Sequence, residues 1–157
     1  MGIQRLNHAV LWVGDIERSL RFYTEVLRFT VVHQEQGAAF LRAENSDNDH
    51  DLGLFATPGE TPHPRAVGLY HLAWSVRTLR DLGDIGERLA EADALVGASD
   101  HTVSKSYYGK DPDGIEFEIA WFVPRDVAGE LADSPGTLPL NLERELARWG
   151  EDLVGAP

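Results

Sequence analysis

Two histidines hold the same place in two copies of one pattern: Leu6-Asn7-His8-Ala9-Val10-Leu11-Trp12-Val13 recurs 63 residues later as Leu69-Tyr70-His71-Leu72-Ala73-Trp74-Ser75-Val76. Imidazole is a ligand for divalent transition ions and, near neutral pH, a proton carrier. Further along, Glu116 and Glu118 alternate with Ile115, Phe117 and Ile119, so two carboxylates leave one face of an otherwise apolar strand. A carboxylate in such a run is costly to bury alone and calls for a cation. If a pseudo-twofold relates the two copies, His8 and His71 meet in a shared cup and one of the two glutamates completes a set of two nitrogens and one oxygen. Such a set leaves the opposite side of an ion open, the facial arrangement of non-heme Fe(II) oxygenases.

The composition narrows the chemistry. With no cysteine among 157 residues, disulfides, thiolate nucleophiles and sulfur-ligated metals are excluded, and any ion must be held by nitrogen and oxygen. A net charge of −12, from 26 acidic and 14 basic residues, repels phosphate backbones and anionic membrane surfaces. No apolar run approaches the length that spans a bilayer, so a cytoplasmic location is expected.

The elements that must position these residues follow from periodicity. After each histidine strand comes a helical stripe: Ile16, Leu20, Tyr23 and Leu27 behind Asp15, then Leu79, Leu82, Ile85 and Leu89 behind Thr78, with Asp15 and Thr78 as N-caps. Three strand-like runs follow each helix, over 29–34, 38–42 and 50–56, then over 95–98, 103–108 and 115–123. The chain is thus expected to be α+β: two βαβββ modules forming an open, cup-shaped mixed β-sheet with helices outside. One domain over 1–123 is expected, with modules at about 3–57 and 68–123 joined by the Pro-rich run Thr57 to Pro64. The extension 124–157 reads as loop to residue 140 and then a C-terminal helix behind Asn141, with Leu142, Leu146 and Trp149 on one face. His33 and His63 are expected at the surface.

The stretches LNHAVLWVGDIERSLRFYTEVLRF, DHDLGLF, LYHLAWSV and DHTVSKSYYGKDPDGIEFEIAWF together carry a likeness over about residues 3–123. The chain resembles the vicinal oxygen chelate superfamily and, within it, the small single-unit type I extradiol dioxygenases. In that family a first-strand His, a fifth-strand His and an eighth-strand Glu ligate iron, which by resemblance makes His8, His71 and Glu118 the metal ligands. The resemblance further implies an acid/base role for His50, in His50-Asp51-Leu52-Gly53-Leu54, a hydrogen-bonding role for Tyr108, and a neighbouring role for His101. Gly53 stands where related glyoxalase I enzymes carry another ligand carboxylate, which argues against a four-ligand site.

What the likeness implies is Fe(II)-dependent extradiol cleavage of a catechol-type diol by O2, with Mn(II) as the alternative ion. Val10, Trp12 and Phe122 are candidate walls for a flat ring. Two other readings stand beside it: a metal-free sequestration protein of the bleomycin-resistance type, and a non-redox metal-dependent lyase or isomerase. Small aromatic diol and O2 are the expected partners, with no nucleic acid or membrane and a homodimer or higher homo-oligomer as the assembly.

Overall fold

Caps and apolar spacing place the helices where they begin. Asp15 accepts the Arg18 amide at 3.0 Å to start α1 (Ile16–Arg21). Thr78 and Asp81 form a reciprocal capping box, Thr78 Oγ1 accepting from the Asp81 amide at 3.1 Å and Asp81 Oδ2 from the Thr78 amide at 2.9 Å, to start α2 (Leu79–Glu91). The computed structural model describes residues 6–57, 69–129 and 136–156. They fall in two compact units, divided after Pro64.

In the first unit β1 (Ala9–Val13), β2 (Thr30–Glu35), β3 (Ala38–Arg42) and β4 (Leu52–Ala56) form one sheet in the order β1-β4-β3-β2. β1 runs parallel to β4, and the other pairs are antiparallel. Its core is made by Leu11, Val13, Leu41, Leu52 and Leu54 from the strands, with Leu20, Tyr23 and Leu27 from the helical segment. The helix departs from a plain 3.6-residue period, because α1 passes into a π-helical turn over Phe22–Val26. The wider turn lets Phe22 join Tyr23 inside, ring against ring at 5.5 Å.

The second unit repeats the plan. β5 (Leu72–Ser75), β6 (Leu95–Asp100), β7 (Ser104–Lys110) and β8 (Glu116–Phe122) run in the order β5-β8-β7-β6, with β5 parallel to β8. Leu79, Leu82 and Leu89 of α2 meet Phe117, Ile119 and Trp121 of β8 in a buried layer. Tyr107 turns to the same side, so close to α2 that a Cβ on Gly86 would stand 2.5 Å from its ring. The fold class is therefore α+β with two βαβββ modules, as the repeat implies.

The extension differs from the expected loop. A short helix α3 (Arg125–Ala128) follows Pro124, and β9 (Leu138–Pro139) adds a fifth strand beside β6 before α4 (Leu142–Trp149), capped by Asn141. The apolar stripe of α4 also hides a charge. Leu142, Leu146 and Trp149 are half-buried, whereas Glu145 is buried outright, within reach of Lys105. β4 begins at Leu52, so His50 lies in the approach to the strand and escapes its alternation. His63 and most of the Pro-rich run lie outside the described residues. No helix among the described residues is long and apolar enough to cross a membrane.

Candidate metal centre and its proton-bearing neighbours

Strand β8 of the second unit carries the densest chemistry. Alternation along β8 buries Phe117, Ile119 and Trp121 and turns Glu118 to the open face, in register with Ala73 on one side and Tyr108 on the other. His71 precedes β5, and its Nε2 lies 3.2 Å from Glu118 Oε2. Two donors each about 2.1 Å from one ion and at right angles stand about 3 Å apart, so this pair fits two neighbouring ligand positions. The other ring nitrogen, Nδ1, is buried with no hydrogen-bond partner. Of the two glutamates, Glu118 is the one at His71, while Glu116 is engaged by Tyr70, whose phenol its charge and hydrogen bond push upward in pKa.

Behind Glu118 stands a relay of proton-bearing groups. The Tyr108 hydroxyl donates to Glu118 Oε1 at 3.5 Å and lies 2.8 Å from His101 Nε2, whose other nitrogen is 3.2 Å from Thr137 Oγ1. Burial, and then the charge of Glu118, hold the Tyr108 pKa above its ordinary value, so the phenol keeps its proton and acts as a donor. Tyr107, facing α2, takes no part. The second tyrosine of the pair is the one in the candidate site.

In the first unit His8 leaves the open face of β1 beside Val10 and Trp12. Its Nδ1 meets Asn7 Oδ1 at 2.9 Å, and because a carboxamide oxygen only accepts, Nδ1 is the donor of this contact, so that in the neutral ring the lone pair lies on Nε2. That is the state a metal-binding imidazole needs. The His50 ring lies 4.6 Å from that of His8 and 5.2 Å from Phe40. His50 is delivered by the loop before β4, which Asp51 fastens by accepting from the Ala43 amide at 2.8 Å, Ser46 Oγ at 2.7 Å and Asn48 Nδ2 at 2.7 Å. Burial raises the Asp51 pKa, but these three hydrogen bonds outweigh it and leave the carboxyl below its ordinary value.

Sequence reasoning missed Asn7, Asn48, Asp51 and Thr137. The run Asn45-Ser46-Asp47-Asn48 has the composition of a turn rich in local hydrogen bonds and could have pointed there, but it gives no sign of which donor each acceptor meets. It also missed Phe40 and Phe55. These rings pack at 5.7 Å, and Phe55 meets Trp12 edge-on at 6.0 Å, extending the apolar wall named from Val10 and Trp12. Gly53 faces Val10 and Phe40 in register, and a Cβ there would lie 3.3 Å from both Val10 and Phe55. Neither unit by itself gathers three His, Asp or Glu side chains into one cluster among the described residues.

A model of the Glyoxalase/Bleomycin resistance protein/Dioxygenase superfamily matches residues 5–119. The chain belongs to that superfamily. Among its characterised members, catechol-2,3-dioxygenase of Bacillus subtilis is 32% identical over 120 residues, covering 76% of this chain and 42% of the relative. Biphenyl-2,3-diol 1,2-dioxygenase 2 of Rhodococcus globerulus is 31% identical over 136 residues, covering 83% and 70%. A superfamily domain from Frankia sp. EAN1pec shares the fold with a TM-score of 0.63 and 25% identity, over 76% of this chain and 98% of that one. The chain thus spans less than half the length of the first relative. The superfamily's own description joins glyoxalases, resistance proteins and dioxygenases, so membership fixes the fold and leaves the reaction to the site.

Proposed function

We propose that the protein is an Fe(II)-dependent extradiol dioxygenase that cleaves a catechol-type ring with O2, with His8, His71 and Glu118 as metal ligands. The reading is carried by the contact of His71 with Glu118, backed by Tyr108. The likeness to two ring-cleaving dioxygenases points the same way. Bound Fe(II) would supply Lewis acidity and pass electrons between the diol and O2.

The chain's own residues supply the rest. His50, an imidazole beside His8, takes a proton from the diol and returns it on ring opening. Tyr108 keeps its proton and offers it to an oxygen bound beside Glu118. Phe40, Phe55 and Trp12 present ring faces and edges suited to a flat substrate. The modules at about 3–57 and 68–123 then act as one domain, in a cytoplasmic protein that self-associates.

Anaerobic reconstitution with Fe(II), followed by oxygen uptake with a panel of substituted catechols, tests this directly. Uptake matched by a yellow ring-opened product supports the reading. A tightly bound ion without oxygen uptake replaces it with a lyase or isomerase, and failure to bind any divalent ion replaces it with a sequestration protein.

A further inference from the structure

Among the described residues, the C-terminal extension reaches the candidate site through the Thr137 hydroxyl. β9 pairs antiparallel with the end of β6, Ser99 opposite Pro139 and Asp100 opposite Leu138. α4 is then fastened to the same place by charge. Arg144 donates to Asp100 Oδ2 at 3.0 Å and to Glu145 Oε1 at 2.9 Å, while Lys105 Nζ lies 3.3 Å from Glu145 Oε2 and also binds Asp100 Oδ1. Trp149 Nε1 adds a hydrogen bond to Glu145 Oε2 at 3.0 Å. Lys105 and Glu145 are each 1% exposed, and two cations face two anions, so removal of any one member leaves a buried charge uncompensated.

What this network grips is the turn that carries His101. Asp100 and Lys105 bracket it, Asp100 Oδ1 accepts the Thr102 amide at 2.8 Å, and Thr102 sits at a left-handed φ of 67°. The His101 ring is held at both nitrogens, by Tyr108 and by Thr137 just ahead of β9. The protons on this chain have one consistent direction. The Tyr108 hydroxyl spends its only proton on Glu118, so it must accept at its oxygen from His101 Nε2–H. His101 Nδ1 is then an acceptor, and the Thr137 hydroxyl donates to it.

We infer that Thr137 is a positioning residue of the C-terminal extension: its hydroxyl donates to His101 Nδ1 and holds the ring with Nε2–H on Tyr108, whose own proton is thereby aimed at Glu118. Only the catalytic consequence of this rests on the ring-cleavage reading. The tautomer is a property of the metal-free chain and is measured there.

The full chain, labelled with 15N at histidine, is examined by long-range proton-nitrogen correlation in mildly alkaline solution, where imidazoles are neutral. His101→Gln identifies the His101 signals. The expected wild-type spectrum has His101 Nε2 protonated and Nδ1 bare but hydrogen-bonded; Thr137→Val moves the Nδ1 signal downfield as its donor is lost while Nε2 keeps its proton, and Thr137→Ser restores the wild-type pattern. Thr137 is exposed, so the valine variant is expected to unfold at the wild-type temperature. On the Fe(II)-loaded chain Thr137→Val lowers kcat about tenfold with KM unchanged, and Thr137→Ser recovers it. A protonated Nδ1 in the wild type, or His101 signals that ignore Thr137→Val, overturns the inference even if catechol is cleaved. If the signals move as expected and no catechol is cleaved by the wild type, ring cleavage falls and the positioning role stands.

Discussion

Superposing the two modules by their strand registers pairs unlike residues on like positions. The first module's open face runs Val10, Gly53, Phe40 and His33 across its sheet, where the second has Ala73, Glu118, Tyr108 and Gly97. One row further along, Trp12 and Phe55 correspond to Ser75 and Ala120. The histidine ahead of each first strand is the member of these rows common to both. The two modules thus share the imidazole and differ in the rest of these rows. The first module carries bulk and aromatic surface, and the second carries the carboxylate and its proton donors. The faces turned to the helices are apolar in both, with Leu11, Leu41, Leu52 and Leu54 in the first and Phe117, Ile119 and Trp121 in the second, because both are buried.

The largest expected effects test whether the shared histidine has one role in both modules. His8→Ala, His71→Ala and Glu118→Gln should each weaken Fe(II) binding about 100-fold or more, since even partners outside the ligand set are worth 10 to 100-fold. Equilibrium dialysis of the ion measures this. If His8→Ala binds iron like the wild type while His71→Ala does not, the two histidines have diverged and the first module supplies no ligand. Next in size are the proton-bearing groups. His50→Gln should retain the ion and lose about 10² to 10⁴-fold in kcat, and Tyr108→Phe about 10²-fold. Turnover by His50→Gln at the wild-type rate would leave Tyr108 and His101 to move protons alone.

Much of this plan is legible in the sequence alone. The repeat of His8 at His71 announced two equivalent modules, and alternation along β8 separated Glu118 from its buried neighbours because a strand's period admits only two faces. It could not say which glutamate would meet His71, since Glu116 and Glu118 share a face, and that depends on Tyr70 engaging one and His71 the other. The short segments α3 and β9 escaped notice because four and two residues carry too little periodicity to register. Glu145 was hidden for another reason. Its burial depends on Lys105, Arg144 and Asp100 converging from separate elements, and no local pattern encodes such a convergence.

Smaller effects should come from exchanging duties between modules. Gly53→Glu would place a carboxylate where the second module has Glu118, yet its Cβ would crowd Val10 and Phe55. A destabilisation of about 1–3 kcal/mol is expected from thermal unfolding. An unchanged melting temperature would mean that packing does not enforce the asymmetry. The approaches to the last strands invite a similar test. Asp111 Oδ1 accepts the Asp113 and Ile115 amides in a tight turn, whereas Asp51 fastens the longer loop that holds His50. Asp51→Ala should cost about 1–3 kcal/mol by stranding its donors. Its folded pKa lies below the ordinary 3.8, so its contribution is present above that pH and lost as pH falls through the folded value. The stability gap between wild type and Asp51→Asn should therefore narrow below about pH 4.

The gentlest change falls on Trp12, the residue at which bulk in one module most plainly replaces a serine in the other. Its side chain is 67% exposed and touches Phe55 only edge-on, so Trp12→Ala should shift stability by about 0.5–1.5 kcal/mol at most. With Val10, Trp12 makes an exposed apolar patch on one strand face, the kind of surface that binding sites use. Trp12→Ala is therefore expected to raise KM for bulky catechols more than for catechol itself and to leave kcat unchanged, because a wall holds ground state and transition state alike. Equal KM across the panel would remove Trp12 from the substrate surface and leave Phe40 and Phe55 as the rings that set it. A fall in kcat instead would show that bulk in the first module also orients the diol, and the division of duties would then be less clean than the strand registers suggest.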